Sequence, residues 1–124
     1  MRLLLDTHVF IWWCAGDRRL RASGRKAIRE ATEVFVSAAT AWEIAIKVAL
    51  GKLEFPVATD AALRTAGFQE LPIRSVHADA TRGLPDHHRD PFDRLLIAQA
   101  RMEGLTFATA DRALRSYEVE ALWI

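Results

Sequence analysis

Acidic side chains stand where predicted strands end and predicted helices begin. Asp6 follows a short apolar run directly, and Asp111 comes shortly after the apolar run 105–108. Glu43 and Asp93 lie in the first turns of two predicted helices. Ligands of open parallel sheets bind beyond the carboxyl ends of the strands. If the strands are parallel, these four carboxylates lie around one edge of the sheet.

Four carboxylates at one edge need a cation. Two of them about 5 Å apart repel by roughly 3 kcal/mol at an effective dielectric of about 20, a large fraction of the stability of a small domain. A divalent cation removes this conflict, and carboxylates without cysteine ligands favour Mg²⁺ or Mn²⁺. Such a metal polarises a phosphoryl oxygen, orients an attacking water and stabilises the leaving oxygen. The pattern therefore indicates metal-assisted chemistry at phosphate.

Each acid also has a structural interpretation. Asp6 and Asp111 are suited to capping the helices that follow them. Glu43 precedes Lys47 by one helical turn, in the orientation that favours an ion pair worth a few tenths of a kcal/mol. Thr109 is suited either to donating a hydrogen bond to a carboxylate or to a simple strand-end turn. Spacing alone leaves these alternatives open.

The elements that would position the acids alternate along the chain. Strands are predicted at 2–5, 33–37, 68–73, 105–108 and 119–123. Helices are predicted at 8–15, 19–31, from Ser37 or Thr40 to Leu50, at 59–66, 77–83 and 112–117, and from Pro91 to Gly104. Pro72 marks its strand as short or at an edge, and Asp90 before Pro91 is typical of a helix cap. The alternation predicts an α/β fold with a parallel sheet covered on both faces.

Composition restricts the class of protein. The chain has 124 residues, 51% of them hydrophobic and 27% charged, which predicts one domain over 1–124. No apolar run is long enough to span a membrane, and no secretory signal is convincing, so we expect a cytoplasmic protein. The single cysteine, Cys14, is expected to be a small buried hydrophobic residue.

Basic residues are unevenly distributed although the net charge is only +1. Six of them fall close together, namely Arg18, Arg19, Arg21, Arg25, Lys26 and Arg29. With Arg89 and Arg94 near the acids, they suit a phosphate chain, although a solvated helix face is the alternative.

Several other residues have simpler interpretations. His87 and His88 match no zinc spacing and are expected to be solvated loop residues. His8 is expected to be partly buried. Trp12 and Trp13 are expected in the core, with a subunit or partner contact as the alternative.

Short sequence blocks carry a resemblance to a known family. The blocks are LLDTH (4–8), AWEIAIK (41–47), GKL (51–53), DPFDRLLIAQA (90–100) and TAD (109–111). In this order they resemble PIN-domain ribonucleases, most closely the VapC toxins of bacterial type II toxin–antitoxin pairs. The resemblance runs from Met1 to the last predicted strand, and the blocks are specific only in combination.

The resemblance implies both a fold and an activity. The fold is a three-layer α/β/α sandwich with a central, mainly parallel sheet of four to five strands. The activity is that of a Mg²⁺- or Mn²⁺-dependent endoribonuclease that cuts tRNA or rRNA, is neutralised by a VapB-like antitoxin and is usually a homodimer. Matched by position, the catalytic and metal-binding acids are Asp6, Glu43, Asp93 and Asp111. Asp93 is preferred to Asp90 as the third acid because Asp90 fits the helix cap.

Two other functions are consistent with the length and layout. One is a catalytically silent PIN domain that acts only as a binding module. The other is a phosphoacceptor receiver domain, which needs an acid pair after its first strand and a late lysine. Here the first strand ends in one acid, Asp6, and no lysine follows Lys52. The intact set of acids favours the nuclease.

Overall fold

A five-stranded parallel sheet forms the centre of the protein. The structure is a computed structural model that describes residues 1–86 and 90–124. The strands are β1 (Arg2–Leu5), β2 (Glu33–Ser37), β3 (Gln69–Leu71), β4 (Thr106–Thr109) and β5 (Ala121–Trp123), in the order β3-β2-β1-β4-β5. All four neighbouring pairs are parallel. The strand order reverses at β1, which opens a crevice at the carboxyl ends of β1 and β4.

Helices connect the strands and cover both faces of the sheet. They are α1 (Thr7–Ala15), α2 (Ala22–Glu30), α3 (Ala38–Ala49), α4 (Thr59–Ala66), α5 (Ser75–Ala80) and α6 (Pro91–Glu103). Short 3₁₀ helices span Thr81–Gly83 and Arg112–Ser116. Within the ranges that the structure describes, no helix is both long and apolar enough to cross a membrane.

Alternation along β1 separates two hydrophobic cores. Leu3 and Leu5 pack with residues of α1, α2 and α4 on one face, whereas Leu4 packs with residues of α6 on the other. Successive side chains of a strand point to opposite faces, so a continuous apolar run is expected for a strand covered on both sides. The predicted three-layer α/β/α sandwich with a parallel sheet is confirmed.

Most predicted boundaries agree with the structure to within a few residues. The third strand is short and lies at the sheet edge, as Pro72 indicated. Ser37, rather than Thr40, caps α3 by accepting a hydrogen bond from the Ala39 amide at 3.0 Å. The helix predicted at 19–31 begins only at Ala22, because Asp17 holds the preceding residues in a turn through the Arg19 amide.

Two side chains of α1 are more exposed than predicted. His8 and Cys14 are both exposed, whereas Val9 and Phe10 are buried. The predictions of a partly buried His8 and a buried Cys14 are therefore wrong. The run 8–15 is so apolar that its pattern does not distinguish the face of the helix that packs on the sheet.

Asp90 caps α6 as the sequence indicated. Its Oδ1 accepts from the amides of Phe92 at 2.8 Å and Asp93 at 3.4 Å, and Pro91 occupies the first turn. The Pro ring suits this position because its missing N–H would have had no partner within the helix.

We expect Asp90→Ala to lower the free energy of unfolding by about 1 kcal/mol, because it leaves the first amides of α6 without their acceptor. Urea unfolding monitored by circular dichroism measures the change. Asp90→Asn is the control, since its side chain retains an acceptor oxygen and should be close to wild type. An equal loss in both variants would show that the charge of Asp90, and not its capping bond, matters.

Candidate active site

Asp6 lies at the carboxyl end of the central strand and is almost fully buried, with 3% of its surface exposed. Its amide donates to the Ala108 carbonyl at 2.9 Å, which fixes it against the end of β4. Its Oδ2 accepts from Thr109 Oγ1 at 2.6 Å, and its side chain makes no capping bond to α1. The capping interpretation of Asp6 is therefore wrong.

The other oxygen of Asp6 is short of a partner. Among the described residues nothing forms a hydrogen bond with Asp6 Oδ1, although the atom is buried. Burial raises the pKa of Asp6, and the charge of Asp111 adds to the rise, while the Thr109 hydrogen bond and His8 oppose it. Keeping Asp6 ionised in this buried position therefore costs free energy, and a nearby cation would reduce that cost.

Thr109 joins Asp6 to Asp111. While its hydroxyl donates to Asp6, the same oxygen accepts from the Asp111 amide at 3.0 Å. The Asp111 carboxylate accepts from the Ala113 amide at 3.0 Å and so caps the 3₁₀ helix that follows. Of the two interpretations of Thr109, hydrogen bonding to a carboxylate is the correct one. Asp111 is both a cap and a neighbour of Asp6.

Glu43 lies one turn into α3 and forms a buried ion pair. Its side chain is 7% exposed, and its Oε2 lies 2.8 Å from Lys47 Nζ. Its Oε1 is buried and has no hydrogen-bond partner in the described part of the chain. The predicted pair with Lys47 is confirmed, and it leaves one carboxylate oxygen available, as at Asp6.

Two contacts between helices bring together the segments that carry or follow Asp6, Glu43 and Asp93. The hydroxyls of Thr7 and Thr40 lie 2.9 Å apart and join α1 to α3. The rings of Trp42 and Phe92 meet edge to face at 5.6 Å and join α3 to α6. Each of these four residues lies next to, or one turn from, an acid of the predicted set. The sequence analysis missed both contacts because nothing local identifies either partner.

Asp93 lies in the first turn of α6 and is half-buried. In a parallel sheet, a helix that leads into a strand begins at the edge where that strand ends, so α6 starts at the carboxyl edge of β4. Asp93 therefore lies at the same edge as Asp6 and Asp111.

The four acids share an edge without forming a closed metal cage. In residues 1–86 and 90–124, no three His, Cys, Asp or Glu side chains are grouped so that they could hold a metal ion. The Glu43 carboxylate pairs with Lys47, and the Asp111 carboxylate accepts from the Ala113 amide in the turn that follows it.

Arg94 has a structural role, and its predicted phosphate contact stays a prediction. Its guanidinium donates to the carbonyls of Pro85 at 2.8 Å and Thr81 at 3.0 Å, and to the Tyr117 hydroxyl at 3.2 Å. It therefore ties the segment before α6 to the rest of the fold. Arg89, His87 and His88 lie outside the described residues.

We expect Lys47→Met to destabilise the metal-free protein by about 1 to 3 kcal/mol, because it leaves Glu43 buried without its partner. Excess Mg²⁺ should reduce this loss, since a second cation then neutralises the same carboxylate. Urea unfolding in EDTA and in Mg²⁺ measures both values.

Lys26→Met is the matched control for this prediction. Lys26 also pairs with an acid one turn away, Glu30, but at 4.0 Å and with both side chains more than half exposed. Such a pair contributes little. Equal small losses in the two variants would contradict the importance of the buried pair.

Comparison with known proteins agrees with the fold and identifies the family. Residues 3–120 match the family model of the PIN domain. Ribonuclease VapC22 of Mycobacterium tuberculosis is 34% identical over 122 residues, which cover 93% of this chain and 91% of that protein.

Solved structures with low sequence identity share the fold. The crystal structure of VapBC2 from Rickettsia felis, bound to a promoter DNA fragment, matches with a TM-score of 0.75 and 11% identity over 100% of this chain and 99% of its own. FitAcB from Neisseria gonorrhoeae matches with a TM-score of 0.66 and 19% identity over 97% and 96%. The resemblance seen in the sequence blocks is thus confirmed, and the chain belongs to the PIN-domain family, among the VapC ribonucleases.

Proposed function

We propose that this VapC-type ribonuclease is the toxin of a type II toxin–antitoxin pair and hydrolyses RNA phosphodiester bonds with Mg²⁺ or Mn²⁺ held by Asp6, Glu43, Asp93 and Asp111. The observation that carries the proposal is the pair of buried oxygens, Asp6 Oδ1 and Glu43 Oε1, without a hydrogen-bond partner among the described residues. Leaving such an acceptor unsatisfied costs about 1 to 3 kcal/mol, and more for a charged group. The other two buried atoms without a hydrogen-bond partner in the described part of the chain, His77 Nε2 and Gln99 Oε1, belong to neutral or distant groups, whereas these two are carboxylate oxygens whose burial a bound cation would offset.

The donor set suits a hard divalent cation. The four candidate ligands are all carboxylates. The Thr109 hydroxyl donates to Asp6 at 2.6 Å, and hydrogen bonds of this kind orient metal ligands in proteins. When bound, the metal supplies Lewis acidity and a water of lowered pKa. Asp6 and Glu43 present their available oxygens, and Asp93 adds a third carboxylate at the same edge.

The reaction needs little else from the chain. A water molecule adds to phosphorus, one P–O ester bond breaks, and the leaving oxygen takes up a proton. We propose that Asp111 orients the attacking water; its backbone amide donates to Thr109 Oγ1, and its carboxylate accepts from the Ala113 amide. We propose tRNA or rRNA as the substrate class, a homodimer as the assembly and the cytoplasm as the compartment, in line with the family.

The central test is RNA cleavage by the purified protein. We expect cleavage of a tRNA or rRNA mixture in Mg²⁺ and none in EDTA. Asp6→Asn and Asp93→Asn should each reduce the rate by more than the roughly 10- to 100-fold that loss of a residue supporting a ligand costs. Asp90→Asn is the control, because it removes a charge outside the proposed ligand set while it keeps an acceptor for the helix cap. RNA binding without metal-dependent cleavage would instead identify a silent binding module.

An antitoxin that covers the carboxyl edge of the sheet, where the four candidate acids lie, would complete the pair. We refer to this edge as the acid edge. The solved relatives include toxin–antitoxin complexes. Lys47 already places an ammonium 2.8 Å from Glu43, which illustrates how a cation stabilises this edge without metal. We propose that a VapB-like antitoxin inserts a basic side chain there through an amphipathic segment.

Hydrogen exchange of the complex with a VapB-like antitoxin tests this mode of inhibition. We expect protection of the first two turns of α1, α3 and α6, because these turns carry or follow Asp6, Glu43 and Asp93. Protection confined to α4 and β3, at the far edge of the sheet, would exclude it.

A further inference from the structure

A basic cleft with two tryptophans lies beside the acid edge. Its volume is about 650 Å³. It is lined by Trp12, Arg18, Arg19, Arg21, Ser23, Ala110, Arg112, Trp123 and Ile124. We refer to it as the Arg/Trp cleft. Its lining residues come from α1, the turn before α2, the turn after β4 and the end of the chain.

The cleft is continuous with the proposed catalytic acids. Ala110 lines it and directly precedes Asp111. Trp123 pairs with Thr109 in the register of β4 and β5, and the Ile124 amide donates to the Thr109 carbonyl at 3.0 Å. Thr109 is the residue whose hydroxyl holds Asp6. An RNA strand that passes from the acids across the end of β4 to the end of β5 therefore enters this cleft.

The positive charge of the cleft is largely uncompensated. Asp17 binds Arg19 at 2.7 Å. Within residues 1–86 and 90–124, Arg18, Arg21 and Arg112 make no salt bridge, and no acidic residue lines the cleft. Arginine presents a planar fork of N–H groups that matches phosphate geometry.

The aromatic rings of the cleft already interact with flat cations. The Arg19 guanidinium lies over Trp12 at 5.2 Å, and that of Arg112 lies over Trp123 at 5.6 Å. Nucleobases stack on the same surfaces, on indole rings and on guanidinium planes alike. An acidic peptide would satisfy the arginines but has no flat base for the rings.

We propose that the Arg/Trp cleft is a subsite for single-stranded RNA that holds the strand beside the scissile phosphate, with Arg18, Arg21 and Arg112 on phosphates and a base stacked at Trp123. The proposal rests on the ribonuclease function proposed above. It assigns the substrate an unpaired segment next to the cut, since a base within a duplex has no free face to stack.

Binding of a short fluorescent oligouridylate, measured by anisotropy in EDTA, tests the subsite without cleavage. Arg18→Gln and Arg112→Gln should weaken binding and reduce the slope of log K against log salt by about 0.7 for each lost phosphate contact. Trp123→Leu should weaken binding by about 5-fold or more, the loss of one stacked base, with the salt slope unchanged.

Arg64→Gln is the matched control. It also removes one exposed arginine, but on α4, which packs on β3 at the opposite edge of the sheet. It should bind the oligonucleotide like wild type. Thermal unfolding of every variant checks that the fold is intact, and the two charge variants keep the test valid if Trp123→Leu is unstable.

Three results would overturn the proposal. One is that the cleft variants bind the oligonucleotide as tightly as Arg64→Gln does. Another is that Trp123→Leu weakens binding only through a changed salt slope, as the loss of a charge contact would. The third is an oligoglutamate peptide that binds as tightly as the RNA and is weakened equally by the variants, which would make the cleft a site for acidic protein segments. Because binding is measured in EDTA, failure of the nuclease proposal leaves the test unaffected: a protein that binds through the cleft but never cleaves would contradict the catalytic proposal alone.

Discussion

Burial of carboxylate oxygens at the end of the central strand is the constraint on which this structure depends. Asp6 is enclosed because β1 has a neighbour on both sides and helices on both faces. The fold satisfies its amide through Ala108 and one oxygen through Thr109, but no described residue bonds the other oxygen. Burial raises the pKa of this group, which means that the fold holds the ionised carboxylate at a cost in free energy, and the proposed cation would offset that cost.

The remaining contacts around the edge control how closely the charges approach. The hydroxyl pair of Thr7 and Thr40 and the ring pair of Trp42 and Phe92 draw three helix starts together. Lys47 neutralises Glu43 from within the same helix. Attraction between neutral groups thus assembles the edge while charges of like sign oppose it. For the metal site proposed above, such pre-assembly would reduce the reorganisation that binding needs.

The net charge of +1 conceals a separation of charge across the turn after β4. Acids are buried on one side of the turn, and arginines with indole rings are exposed on the other. A nucleic acid strand needs both, because its backbone must be held by cations while one phosphate is presented to carboxylates and metal. The placement of Thr109, between Asp6 and Trp123, links the proposed reaction centre to the proposed RNA subsite.

Local signals in the sequence were sufficient to predict β1, β2, the cap at Asp90 and the three-layer fold, because apolar runs, strand alternation and capping residues act over a few positions. They also identified the acids, although the metal and its ligands remain proposals. They did not predict the exposure of Cys14, since the whole of α1 is apolar. Nor did they reveal that Arg94 binds backbone carbonyls, or that Ile124 packs against Gly24 so closely that its Cγ2 would lie 2.8 Å from a Cβ there. Only the tertiary structure decided these features, because each depends on a partner distant in sequence that the fold brings into contact.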